Sequence, residues 1–253
     1  MSPLRWSEVD TLFLDAGGTL ISMDFPRIAR ELGVLGAPCE WQALARAEAA
    51  VRPLVSRLIA GGGSTEGRDT FAYVVDQVLL RALERELPAC RSLADQLIPR
   101  IRVPGRSLEL WCRVLPGVPQ ALARLRDSGL RLVVVSNADG TVEEGLTRVG
   151  LATHLDLVID SSVVGFEKPD PRIFHTALER AGCDPTRTLH VGDVYAADVI
   201  GARAAGLPAV LLDPHGDWGE VDCEVARDVP EVAERILAAR VRTARNQERE
   251  TLR

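Results

Sequence analysis

Thr11-Leu12-Phe13-Leu14-Asp15-Ala16-Gly17-Gly18-Thr19-Leu20 is the stretch on which the fold reading turns. A short apolar run ends abruptly at an acid and a glycine pair, the pattern of a buried strand stopping at a tight loop. Similar runs recur at Leu130–Val135, Leu155–Ile159, Leu189–Val191 and Ala209–Leu212. Helical patterns separate them at Val118–Ser128, Val142–Val149, Pro171–Ala181 and Ala196–Ala205. Gly129, Gly150, Gly182 and Gly206 follow these helices, where a C-cap favours a residue tolerant of positive φ. Strand and helix alternating at this pitch predict an α/β fold, a doubly wound parallel sheet with helices on both faces.

The stretch from Ile21 to Leu115 differs. It has helical periodicity at Trp41–Leu58 and Phe71–Leu87 and no strand pattern. Gly61-Gly62-Gly63-Ser64-Thr65 punctuates it as a flexible loop, and Pro99, Pro104 and Pro116 mark its exit. The chain is therefore read as a core of residues 1–21 and 116–253 with an all-helical insertion over 22–115. From Pro230 to Arg253 a single helix is expected to run into an arginine-rich, solvated end.

The totals agree with this reading. A chain of 253 residues fits one large domain, or a domain with a smaller one inserted. With 46% hydrophobic and 26% charged residues it is no disordered chain, collagen-like fibre or coiled coil. A formal net charge of -6 gives no electrostatic reason to expect a nucleic-acid or anionic-membrane surface. The five cysteines are scattered without a C-x-x-C pair, which argues against a disulfide framework or a zinc site. Acids near the start stand where a signal peptide would need an apolar run, and no apolar stretch approaches the roughly 18 residues of a membrane span. A cytoplasmic location is expected. Among 30 basic residues Lys168 is the only lysine, in a chain that uses arginine at every other basic position.

Ligands of open parallel sheets sit at the carboxyl ends of the strands. There the sequence puts Asp15, then Ser136-Asn137, then Lys168, then Gly192-Asp193 with Asp198. Acid clusters repel unless a cation holds them, and oxygen donors favour a hard ion such as Mg²⁺. A metal, a lysine and a hydroxyl together suit a phosphate, and an aspartate facing that group can act as a nucleophile.

The runs Asp15-Ala16-Gly17-Gly18-Thr19-Leu20, Val133-Val134-Val135-Ser136-Asn137, Glu167-Lys168-Pro169-Asp170 and Val191-Gly192-Asp193 through Asp198 resemble the four ordered motifs of the haloacid dehalogenase superfamily. The insertion between the first two resembles that superfamily's helical C1-type cap on a Rossmann-like core. The resemblance implies a Mg²⁺-dependent phosphatase of a small phosphorylated metabolite. Asp15 would carry a transient aspartyl-phosphate. Asp15, the carbonyl of Gly17, Asp193 and Asp198 would hold the metal, Asp198 as ligand or as outer acceptor. Ser136 and main-chain N–H groups around Gly18, Thr19 and Asn137 would contact the phosphoryl oxygens, and Lys168 would neutralise charge in the transition state. A compact ammonium suits that place better than a planar guanidinium.

One departure stands out. Phosphatases of this superfamily carry a second aspartate two positions after the nucleophile, as acid and base for the leaving group; here the position is Gly17. Asp24, Asp139 and Tyr195 are the sequence candidates for a substitute. A 2-haloacid dehalogenase also lacks that aspartate, but its fourth motif differs from the Asp193 and Asp198 pair. A phosphonate hydrolase would need a cap lysine, and this cap contains none. A catalytically impaired phosphate-binding or regulatory module is the non-enzymatic alternative.

Other conspicuous residues have ordinary readings. His190, in an apolar run, is expected to be a buried structural imidazole, and His154, His175 and His215 show no partner pattern. Trp6, Trp41, Trp111 and Trp218 read as packing residues. The cap arginines read as a solvated face, with Arg106 or Arg113 beside the cap exit as the alternative contact for an anionic substrate.

Overall fold

The computed structural model describes residues 4–103 and 106–251; Pro104, one of the residues expected to mark the cap exit, lies outside the described residues. Strand β1 (Thr11–Leu14) is buried along its whole length because it runs through the middle of the sheet. It pairs in parallel with β4 (Arg131–Ser136) on one side and β6 (Thr188–Gly192) on the other. β5 (Leu157–Asp160) extends the first side, and β7 (Ala209–Leu212) and β8 (Glu224–Ala226) the second, giving the order β5-β4-β1-β6-β7-β8. All five pairings are parallel.

Side chains alternate across the strands, so each sheet face has its own core. Leu12, Leu14, Leu132, Val134, Leu189 and Val191 face helices α5 (Val118–Asp127) and α10 (Val229–Thr251), meeting Leu122, Leu125, Val232 and Ile236. Phe13, Val133 and Val135 face the other way, toward Ile173, Phe174 and Ala177 of α8 (Pro171–Ala181) and Ala202 of α9 (Gly201–Ala204). Two shorter helices, α6 (Val142–Arg148) and α7 (Ser161–Val164), follow β4 and β5. Within the described residues no helix is long and apolar enough to cross a membrane.

The insertion holds four helices, α1 (Phe25–Val34), α2 (Trp41–Ala60), α3 (Arg68–Leu83) and α4 (Leu87–Ile101). They share a separate core of Ile28, Leu32, Leu44, Val51, Val78, Leu79 and Leu97. Its two ends correct the strand-free reading of Ile21–Leu115. β2 (Ile21–Met23) and β3 (Trp111–Val114) pair antiparallel, with Ile21 opposite Val114 and Met23 opposite Trp111. Three or four residues are too few for a period-two pattern to show. A second correction concerns Ala196–Ala205, where a π-helical turn at Tyr195–Ile200 precedes the short α9.

Phe13 is fully buried at the centre of the second face. Phe13→Ala is expected to lower the unfolding free energy by about 3–5 kcal/mol, read from urea denaturation.

Candidate active site

Three segments meet over one buried point. β1 delivers Asp15, the loop before α8 delivers Lys168, and the turn after β6 delivers Asp193 and Asp198. Lys168 Nζ donates to Asp15 Oδ1 at 2.6 Å and to Asp198 Oδ1 at 2.7 Å. Burial alone would strip the ammonium of its proton; the two carboxylates outweigh it and hold the Lys168 pKa above the ordinary lysine range.

Asp198 has no oxygen to spare. Its Oδ1 also lies 2.9 Å from His190 Nε2, and Oδ2 accepts from the Val194 N–H at 2.9 Å. Burial raises its pKa, but Lys168 and His190 together hold it below the usual carboxylate range. The contact needs Gly192, because a Cβ there would stand 2.2 Å from Asp198 Cγ. His190 is completely buried, and that burial lowers its pKa against the pull of Asp198. The ring is therefore neutral, with Nε2–H donating to Asp198. It is buried as expected, although its Nδ1 finds no partner among the described residues.

Asp193 meets a residue the sequence reading passed over. Arg52 of α2 places Nε 3.0 Å from Asp193 Oδ2, and its Nη2 donates to Glu48 Oε2 at 2.9 Å. Burial lowers the Arg52 pKa, and Glu48 and Asp193 more than restore it. Asp193 is pushed well above the usual carboxylate range by burial, against Arg52 and with the help of Asp15. Asp15 is raised too, chiefly by burial and against Lys168.

Four buried or half-buried carboxylates (Asp15, Asp193, Asp198, Glu48) thus face two cations, Lys168 and Arg52. With all four ionised the deficit is two positive charges, and the donors are hard oxygens, which suits a divalent ion such as Mg²⁺. Among the described residues no group of three His, Cys, Asp or Glu side chains forms a ready metal cage. Asp198 in particular is engaged by Lys168, His190 and Val194.

The loop after β1 is held by its own backbone. Gly18 takes φ +76°, and a Cβ on it would stand 2.1 Å from Asp193 Oδ2. Its N–H donates to the Ile21 carbonyl at 2.7 Å, so it is not free for a phosphoryl oxygen. Thr19 is buried, with an Oγ1 that has no partner among the described residues. Neither residue lines the cavity described below. In this structure the turn thus keeps the polar groups of both residues away from the cavity wall.

Asn137 acts as a clamp. Its Oδ1 accepts from the Lys168 N–H at 2.7 Å, and its Nδ2 donates to the Lys168 carbonyl and to Thr65 Oγ1, each at 2.9 Å. Thr65 belongs to the glycine-rich cap loop, whose Ser64 Oγ donates to Glu167 Oε2 at 2.8 Å. The loop expected to be a flexible connector is thus docked on two core motifs. Asp160, another residue without a sequence signal, ties the loop after β4 by accepting from the N–H groups of Gly140, Val142 and Ser162.

Between cap and core lies a cavity of about 200 Å³. Asp15, Gly17, Ser136, Asn137, Lys168, Asp193 and Asp198 form its polar end, and Arg52, Glu48, Glu66 and Arg102 approach it from the cap side. The rest of the wall is largely apolar, with Val51, Val55, Phe71, Val74, Leu108 and Trp111. Trp111 is more than packing: a Cβ at Gly17 would meet its ring at 3.2 Å, so indole fills the space above this glycine.

The sequence candidates for a substitute acid stand elsewhere. Asp24 caps α1 by accepting from Arg27 N, Asp139 accepts from Ser107 and Thr141, and Tyr195 donates to Asp222. None of the three lines the cavity. Arg106 pairs with Glu109 on the surface, and neither it nor Arg113 reaches the cavity; Arg52 and Arg102 do.

A family model for haloacid dehalogenase-like hydrolases matches residues 9–206. The chain belongs to this family. It is 40% identical over 139 residues to haloacid dehalogenase-like hydrolase domain-containing protein 3 of Bos taurus, covering 55% of this chain and 53% of that protein. It is 36% identical over 131 residues to the glyceraldehyde 3-phosphate phosphatase of Methanothermobacter thermautotrophicus, covering 48% of this chain and 58% of that one. The matches span about half the length of these curated relatives. The haloacid dehalogenase-like fold is shared with the magnesium-bound hydrolase YfnB of Bacillus subtilis, at TM-score 0.57, 18% identity, 90% of this chain and 98% of that one.

Within this member of the family, Lys168 is the cation that two buried carboxylates share. Lys168→Met is expected to cost about 3–5 kcal/mol of stability at pH 8 in urea denaturation, since it leaves buried charges unpaired. Lys168→Arg is expected to recover little of that loss, because a guanidinium is too broad for the gap.

Proposed function

We propose that the protein is a Mg²⁺-dependent phosphatase of a small phosphorylated molecule, working through an aspartyl-phosphate on Asp15. The observation that carries this reading is the buried excess of carboxylates around Asp15, organised by one lysine at the wall of a cavity. The phosphatase relative named above supports the reaction class.

In this reading Asp15, Asp193 and the main-chain carbonyl of Gly17 would hold the metal, which would supply charge neutralisation. Lys168 fixes Asp15 Oδ1 and leaves Oδ2 to attack phosphorus. Asp198 positions that lysine. Ser136 Oγ, buried at the cavity wall, donates to a phosphoryl oxygen, while the Asn137 side chain holds the Lys168 backbone. The apolar walls exclude water and strengthen each of these charge contacts.

The test is phosphate release. Wild-type protein with Mg²⁺ is expected to hydrolyse p-nitrophenyl phosphate or acetyl phosphate, and Asp15→Asn to lower the rate by roughly 10³-fold or more. Chelation of the metal is expected to stop turnover. No activity across a broad phosphate panel would overturn the reading, and metal-independent halide release from a 2-haloacid would replace it with dehalogenation.

A further inference from the structure

A phosphatase built this way needs a proton for the departing oxygen, and Gly17 cannot provide one. The cavity lining contains five carboxylates: Asp15, Glu48, Glu66, Asp193 and Asp198. Asp15 is the nucleophile in the reading above. Glu48 is tied to Arg52 by two contacts, at 3.3 and 2.9 Å. Asp193 is paired with the same arginine, and Asp198 is filled by Lys168, His190 and Val194. Glu66 remains, and its carboxylate has no hydrogen-bond partner among the described residues. It follows Thr65, which is hydrogen-bonded to Asn137, so the chain bringing it to the cavity is pinned to the core beside Ser136 and Lys168. Its own main chain is held as well, the N–H by Ser64 Oγ at 3.1 Å and the carbonyl by Arg102 Nη2 at 3.4 Å.

We propose that Glu66, presented by the cap loop, is the general acid and base of the phosphatase reaction, replacing the side chain absent at Gly17. The assignment rests on Asp15 being the nucleophile. As the Asp15 Oδ2–phosphorus bond forms and the phosphorus–leaving-oxygen bond breaks, the Glu66 carboxyl proton passes to that oxygen and a neutral alcohol departs. The Glu66 carboxylate then takes a proton from water as the water oxygen attacks phosphorus. The bond to Asp15 breaks, inorganic phosphate leaves, and Glu66 is a carboxylic acid again.

The surroundings suit the role. Burial pushes the Glu66 pKa up to about 7, opposed by Arg102 and reinforced by the charges of Asp139, Glu167 and Asp160. A carboxyl in this range carries a proton near neutrality and returns to carboxylate with little cost.

The experiment compares an alkyl ester, glycerol 2-phosphate, with p-nitrophenyl phosphate, whose leaving group departs without a proton. Glu66→Gln is expected to lower kcat/KM on the alkyl ester by about 10²–10⁴-fold, and on the aryl ester by less than about 10-fold. With the aryl ester the variant is expected to show a burst of one p-nitrophenolate per site, because the phosphoenzyme waits for water without its base. An acid must hold its proton, so wild-type kcat/KM on the alkyl ester falls as pH rises through about 7. That fall is expected to vanish in Glu66→Gln. Glu66→Asp, which keeps a carboxyl, recovers part of the alkyl rate, and the surviving aryl activity reports that both variants are folded. Equal changes on the two esters in both variants would overturn the role of Glu66 while leaving Asp15 intact. A wild-type protein inert toward both esters, or an Asp15→Asn variant as active as wild type, would remove the phosphatase reading and this proposal with it.

Discussion

One ammonium group between two carboxylates sets the terms for everything around it. Taking Lys168, Asp15 and Asp198 out of water carries a heavy desolvation penalty, which mutual attraction offsets only when the geometry is close. The contacts of 2.6 and 2.7 Å meet that demand. Their neighbours follow from it. Gly192 is small so that Asp198 can approach, His190 turns its Nε2–H toward Asp198, and Asn137 grips the backbone of Lys168 so that its stem starts from a fixed point.

The cap completes this arrangement from above. α2 crosses the turn after β6, with Arg52 on Asp193, Ser56 Oγ accepting from Ala196 N at 2.9 Å, and Ile59 packed on Ala196 and Ala197. The glycine-rich loop docks on Asn137 and Glu167. The core and cap charges thereby share a cavity whose wall is otherwise largely apolar, an environment of low dielectric that magnifies each of them.

Much of this was readable in the chain because the core chemistry sits at strand ends. A buried strand followed by Asp15 and two glycines, or by Ser136-Asn137, has a pattern and a place at once, and the parallel order follows from the alternation. The uniqueness of Lys168 pointed to the site for a compositional reason that the packing explains. The cap contribution was not legible. Glu48 and Arg52 read as an ordinary i,i+4 helical pair, and their approach to Asp193 depends on how α2 lies across the core. Trp111 is far from Gly17 in sequence. Asp24, Asp139 and Tyr195 stand near the motifs along the chain yet are committed to a helix cap, to hydroxyl partners and to Asp222. Nearness in sequence measured nothing there, because loop geometry decides which way a carboxylate points.

The ribbon of β2 and β3 carries one more implication. Both crossings between core and cap run through this pair of strands, and the strands are bonded to each other. Two tethers tied together hold the entry and the exit of the insertion side by side, in one register. Trp111 lies on that ribbon, at the floor of the cavity. The junction of cap and core and part of the cavity wall are therefore the same few residues, Ile21, Met23 and Trp111.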